Sequence, residues 1–185
     1  MMPYKKLQRR ISGLPLLILI MLLLAPLSSN QAQDALAFWD DIFTYHDPET
    51  ILAHRAPGDI VMMATGDVLL ARSINARMMK SHDFTFPFAK LGPFLAQADI
   101  TWVNLETPLL TGCAIQYVGM KFCGDPQTTA SLVFAGIDAA NIANNHSENQ
   151  GEAGVLETEQ ILTGLGIGVT GRAKPVILER QGNCI

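Results

Sequence analysis

Three short apolar runs in this chain end in residues that can do chemistry. Residues 60–65 lead through Gly66 to Asp67, and residues 100–103 lead through Asn104 and Leu105 to Glu106. Residues 137–143 lead to Asn144, Asn145 and His146. Carboxylates, a carboxamide oxygen and an imidazole form a hard-to-borderline donor set that suits Mg, Mn or Zn better than a soft metal. One such ion could polarise a phosphoryl or carbonyl oxygen and activate a water. A histidine not spent as a ligand could protonate a leaving group. Singly, each residue has a plainer role. A Gly-Asp after a strand can be a turn or a helix cap, Glu106 could cap or pair with Arg72, and Asn144 and Asn145 could satisfy loop backbone groups. The chemistry therefore depends on whether the three ends meet.

The elements that must bring them together follow from periodicity and punctuation. Residues 60–65 form an apolar run suited to a buried parallel strand. A helix is expected over 68–80, with Leu69, Ile74 and Met78 as its apolar positions. Phe84, Phe86, Phe88, Leu91, Phe94 and Leu95 are broken by Pro87 and Gly92-Pro93, and read as core packing under a loop and a short helix. Residues 100–103 make the second strand. The connection over 108–122 is long, as functional loops are. Asp125 is a suitable N-cap, Pro126 a suitable first helical residue and Gly136 a suitable helix stop. A third strand over 137–143, a helix over 151–164 and short strands over 167–170 and 176–178 complete the pattern. Strand and helix alternation of this kind predicts an α/β fold with a largely parallel sheet. Right-handed crossovers then place Asp67, Glu106 and residues 144–146 on one C-terminal edge, where open α/β sheets bind ligands. His46, His54 and His82 read as surface residues.

Charged residues are only 16% of the chain and the net charge is -4, with no basic patch to favour nucleic acid. Lys5, Lys6, Arg9 and Arg10 precede an apolar run over 14–27, followed by small and polar residues. Residues 1–32 thus read as a signal peptide or an uncleaved membrane anchor. The run is short for a permanent span, which takes about 20 residues. Both readings export the remainder, as a secreted or membrane-anchored protein outside the cytoplasm. Residues 33–58 read as a lead-in linker, with Phe38, Trp39, Ile42, Phe43 and Tyr45 suited to a turn or two of amphipathic helix. In an oxidising compartment Cys113 and Cys123 could form a disulfide, or they could be two separate thiols. Cys184 has no evident partner.

Several motifs recur together. They are residues 66–72 (GDVLLAR), residues 86–88 (FPF), residues 98–100 (ADI), residues 104–109 (NLETPL), residues 135–138 (AGID), residues 143–146 (ANNH) and Gly151. In order and spacing they resemble the CapA family of capsule-synthesis or poly-gamma-glutamate-biosynthesis proteins, over residues 60–180. The resemblance implies an α/β sandwich related to the calcineurin-like metallophosphoesterases. In that pattern Asp67 is the opening Gly-Asp acid, Glu106 a second metal-binding acid, and Asn145 a metal ligand. His146 supports the leaving group or phosphate, with Arg72, Asn104 and Asn144 in substrate-binding or supporting places. A divalent metal, Mn, Mg or Zn, is the implied cofactor. Polyglutamate or another capsule polymer and the membrane subunits of a polymer synthase are the implied partners.

Two departures stand out. The family has an acid three residues after the motif histidine, where this chain has Asn149 beside Glu148. The family's later histidine motifs have no counterpart after His146. Residues 59–185 therefore read as the N-terminal half of such a domain, with an incomplete site, little activity alone and marginal stability. Three functional readings stay open: a polymer biosynthesis or export protein with a metallophosphoesterase-like domain, a non-catalytic scaffold of a polymer synthase, and a generic metal-dependent phosphoesterase.

Overall fold

In the computed structural model, which describes Gln33, residues 48–172 and residues 175–185, the apolar runs pair into one sheet. The leader and the aromatic stretch over 38–45 lie outside the described residues. Helix α1 (Pro48–Ala53) precedes β1 (Met62–Val68), and β2 (Ile100–Leu105), β3 (Ala139–Asn141) and β4 (Gly168–Thr170) follow in spatial order. All three neighbouring pairs are parallel. Between β1 and β2 lie α2 (Arg72–Ser81), a 3-10 turn (Phe86–Phe88) and α3 (Gly92–Leu95). A 3-10 turn (Pro126–Thr129) continued by α4 (Ala130–Phe134) connects β2 to β3, and α5 (Gly151–Gly164) connects β3 to β4. Among the described residues no helix is long and apolar enough to cross a membrane.

The centre of the sheet is apolar on its inner face. Val103, Leu105 and Ala140 pack with Leu70, Leu109, Leu132 and Leu162, all essentially inaccessible. Each such leucine contributes roughly 1.5–3 kcal/mol by leaving water. The aromatic segment packs as core only in part: Phe88 and Leu95 are buried and Phe94 lies against the same cluster, while Phe84 and Phe86 are half-buried and Leu91 is exposed.

Local structure departs from the sequence expectation in four places. β1 runs on through Gly66 and Asp67, because a one-residue bulge between Ala64 and Asp67 resets its register against Trp102 and Asn104. The following helix starts only at Arg72. Leu70 and Ala71 are instead buried, and Leu70 N–H donates to Thr107 Oγ1 at 2.7 Å. β3 is three residues long, much shorter than 137–143. Residues 176–178 form no strand of the sheet. The tail folds as a hairpin of β5 (Glu179–Arg180) and β6 (Asn183–Cys184), about a turn in which Gln181 and Gly182 both have positive φ. That is the backbone a type I′ turn requires. By contrast Asp125 caps the chain as expected, accepting from Gln127 N–H at 2.9 Å. Gly136 closes the helix at φ +67, where a Cβ would stand 2.9 Å from the Ala96 Cα.

The N-terminal edge of the sheet is fastened by side chains. Asp99 Oδ2 accepts from Val61 N–H at 2.9 Å and from Arg55 at 3.1 Å, and its Oδ1 accepts from Gln181 at 3.2 Å. Arg180 donates through Nε to the Asp99 carbonyl at 2.7 Å and through its terminal nitrogen to Asp138. Asp138 in turn accepts from Thr101 N–H at 2.8 Å. The Val61 amide is the main reason that the Asp99 carboxyl sits below its ordinary value, with Gln181, Arg55 and Arg180 adding to it against some desolvation. A depressed carboxyl pKa stabilises the fold above the unfolded value and ceases to do so as pH falls through the folded value. Thermal melts are therefore expected to lose stability below about pH 4. The Asp99→Asn variant is expected to show a flatter acid limb over the same range.

Candidate functional site

The bulge in β1 brings Asp67 level with Asn104 in β2, and the two side chains meet: Asn104 Nδ2 donates to Asp67 Oδ1 at 2.7 Å. The other end of the same carboxamide faces the opposite way. Asn104 Oδ1 accepts from Asn141 Nδ2 at 2.9 Å and from Asn144 Nδ2 at 3.2 Å. Asn144 also donates to the Leu105 carbonyl at 3.0 Å, and its Oδ1 accepts the His146 N–H at 3.0 Å. A continuous polar array thus crosses the C-terminal edge from β1 to the loop after β3. Ser147 steadies that loop, donating to the Ile142 carbonyl and accepting from Asn144 N–H at 3.0 Å.

His146 is buried and stacks on Phe122, with ring centroids 4.1 Å apart. Its Nδ1 lies 3.1 Å from Asn149 Oδ1, which also accepts the Phe122 N–H at 2.7 Å. An amide N–H needs an acceptor, so the oxygen of Asn149 faces both groups. Nδ1 must then carry the proton. Nε2 makes no hydrogen bond among the described residues. No buried side-chain nitrogen or oxygen lacks a partner among the described residues, and Nε2 has none, so Nε2 reaches solvent. Gln150 holds the other side of Phe122, donating to its carbonyl at 2.9 Å. Cys113 and Cys123 are joined in a disulfide, with Cα atoms 5.8 Å apart, and this closes the loop that ends on Phe122. Cys184 is an exposed free thiol.

The expected site residues are thus brought to one edge but are not all in contact. Asp67, Asn104 and Asn144 are joined, and His146 is tied in through Asn144. Glu106 is half-buried beside them, with its N–H on the Val68 carbonyl at 3.1 Å. Its carboxylate makes no hydrogen bond or ion pair among the described residues, with Arg72 included. Asn145 is exposed and faces a cleft of about 630 Å³ with Asn144, Glu148, Gly171 and Arg172. Asp67 faces a different, largely apolar cleft of about 630 Å³ with Phe86, Phe88 and Leu91. Arg172 is anchored by Glu152 at 2.9 Å, which raises its pKa further. Arg72 opens α2 at φ +55, a left-handed conformation that strains a residue with a Cβ by about 1 kcal/mol.

These oxygen donors suit a hard divalent ion in kind, but cover it only in part. No group of three His, Cys, Asp or Glu residues among the described residues is placed to hold a metal. Asp67, Glu106 and Asn145 can supply at most part of a coordination shell. Two participants escape the sequence reading. Asn141 reads there only as part of an apolar run, and Asn149 only as a substitution for an acid. An asparagine at the end of each of two neighbouring strands is the signal available for Asn141.

Residues 61–183 match the family described as bacterial capsule synthesis protein PGA_cap. The chain belongs to this family. The parallel α/β sheet is consistent with the metallophosphoesterase-like fold of PGA_cap proteins. Over 109 residues the chain is 24% identical to a protein named capsule biosynthesis protein CapA from Bacillus anthracis. That alignment covers 57% of this chain and 26% of the relative, so about a quarter of the relative's length is matched. In this PGA_cap chain the Asn104 carboxamide is the joint of the edge. Asn104→Ala removes bonds to Asp67, Asn141 and Asn144, and is expected to lower unfolding stability by about 2–3 kcal/mol in denaturant titration.

Proposed function

We propose that this chain acts in biosynthesis or export of a capsule polymer, with poly-gamma-glutamate as the polymer class, through a phosphoester-cleaving site at the C-terminal edge of its sheet. The observation that carries the reading is the array from Asp67 through Asn104 to Asn144. It sets an acid on β1 and an imidazole after β3 at one edge of the sheet, with β2 between them, while the Nε2 of His146 makes no hydrogen bond among the described residues. Asp67, Glu106 and Asn145 are proposed as the chain's share of a divalent-metal shell, for Mn, Mg or Zn. Such an ion, when bound, supplies Lewis-acid polarisation and an activated water. His146 is fixed by Asn149 at Nδ1, so Nε2 is the atom that holds or delivers a proton to a leaving oxygen. Arg72 is proposed to bind substrate. Export through the N-terminal segment, location outside the cytoplasm and association with membrane subunits of a polymer synthase belong to the same proposal.

Asp67→Ala and His146→Ala test it in cells that make the polymer and in the purified full-length protein with Mn and an aryl phosphate. Hydrolysis is expected to fall at least about 100-fold in each variant, in the range of lost acid–base and metal catalysis, and polymer output to fall with it. Output that survives both changes overturns the catalytic reading in favour of a scaffold. Hydrolysis lost with output intact marks a phosphoesterase of another substrate.

A further inference from the structure

The loop closed by Cys113 and Cys123 turns its apolar side chains outward. Ile115 is 50% exposed, Tyr117 64%, Val118 76% and Met120 66%. Other large apolar side chains are exposed elsewhere, Met62 and Ile177 among them, but these four fall within one short stretch of a single loop. Both ends of the loop are fixed. Leu110 N–H donates to the Gly124 carbonyl at 3.0 Å and Gly124 N–H to the Pro108 carbonyl at 2.9 Å, next to the disulfide.

The loop itself and α2 carry only basic charged side chains, while Glu157 meets the base of the loop, accepting from Thr111 N–H at 2.8 Å. No Asp or Glu occurs between Glu106 and Asp125, and none in α2, although the whole chain carries -4. Tyr117 borders a cavity of about 410 Å³ with Ser73, Arg77, Lys80 and Ser81 of α2. Lys121 is on the loop itself and is exposed, as are Arg77 and Lys80. Arg77 is steadied over the Phe86 ring at 3.6 Å. The nearest acid after α2, Asp83, is occupied by the amides of Thr85 and Phe86, each at 3.1 Å. Exposed aliphatic residues and a tyrosine, rimmed by lysine and arginine and hydroxyl donors, match the layered chemistry of a lipid surface. Apolar groups enter the acyl boundary, tyrosine sits at headgroup level and cations meet lipid phosphates.

We propose that the tip of this loop, with the cationic face of α2, docks on an anionic phospholipid bilayer. The contact is peripheral and reversible, and separate from any anchoring by the N-terminal segment. It sets the C-terminal edge of the sheet beside the membrane, because Phe122 of the same loop packs on His146.

The test uses the full chain carrying Val118→Trp, compared with the wild type so that Trp39 and Trp102 cancel. With vesicles of phosphatidylglycerol and brominated phosphatidylcholine, the added tryptophan is expected to shift to the blue and be quenched. Adding Ile115→Ser and Met120→Ser is expected to weaken that quenching about tenfold or more in lipid concentration at half-effect. Lys80→Glu or Lys121→Glu is expected to weaken it at least about fivefold each, and raised salt to act in the same direction. These sites are exposed, so an unchanged melting temperature confirms that folding is intact. Protein held on the vesicles with the introduced tryptophan unquenched overturns the proposal, because the N-terminal segment alone then carries binding. A blue shift that grows with protein concentration in the absence of lipid overturns it in favour of a second copy of the chain.

Discussion

The carboxamide of Asn104 is the interaction on which the functional edge depends. β2 lies between β1 and β3, about 4.8 Å from each. A side chain at its C-terminal end can therefore reach both neighbours. The neighbour on one side offers a carboxylate, Asp67, and the neighbours on the other offer amide donors, Asn141 and Asn144. Only a group with a donor at one end and an acceptor at the other can satisfy both. An aspartate would put a second negative charge against Asp67, and an alkyl side chain would leave all three partners unmet. The position of His146 follows from this joint, since its N–H is held by the same Asn144 whose Nδ2 is fixed on Asn104.

Side-chain staples of this kind are a consequence of short strands. β3 and β4 have three residues each, so their backbone ladders hold few bonds. The gap is filled at both ends of the sheet. At the C-terminal end it is filled by the amide array. At the N-terminal end Arg180, Asp99 and Asp138 hold the hairpin against the start of β2. Trp102 adds a third tie, donating to Thr170 Oγ1 at 3.2 Å from β2 across β3 to β4. The staple that contains an arginine sits away from the candidate site, and the carboxamide array lies within it. The carboxylates of Asp67 and Glu106 therefore have no fixed cation beside them among the described residues.

What is legible in the sequence is what depends on near neighbours in the chain. The order of elements, the parallel sheet, the Asp125 cap, the Gly136 stop and the bounds of α5 all rest on periodicity or on residues a few positions apart. The three strand ends can be placed on one edge by the crossover rule alone. The bulge at Ala64 to Asp67 cannot be read, because it is a mismatch of register with a strand 37 residues on. Asn141 looks like an interruption of an apolar run, because its partner Asn104 is equally distant. Asn149 looks like the loss of an acid. In the structure its oxygen does the orienting that a carboxylate oxygen would do, while leaving the imidazole without a charged neighbour at Nδ1. Residues 176–178 have strand composition, but the hairpin register is set by the Gln181-Gly182 turn beyond them.

The long connection before Asp125 joins these two levels. A disulfide closing a loop of this length removes chain entropy worth about 3 kcal/mol from the unfolded state. A loop so constrained can keep apolar side chains pointing away from the core without collapsing onto it. The same constraint fixes Phe122, one residue before the second cysteine, as the wall against which His146 stacks. Asn149 then reads both partners at once, accepting from the Phe122 backbone and from the imidazole. Displacement of the loop would therefore shift the acceptor that sets the His146 tautomer. Phe122 and Asn149 are the residues through which the disulfide-closed loop meets the imidazole.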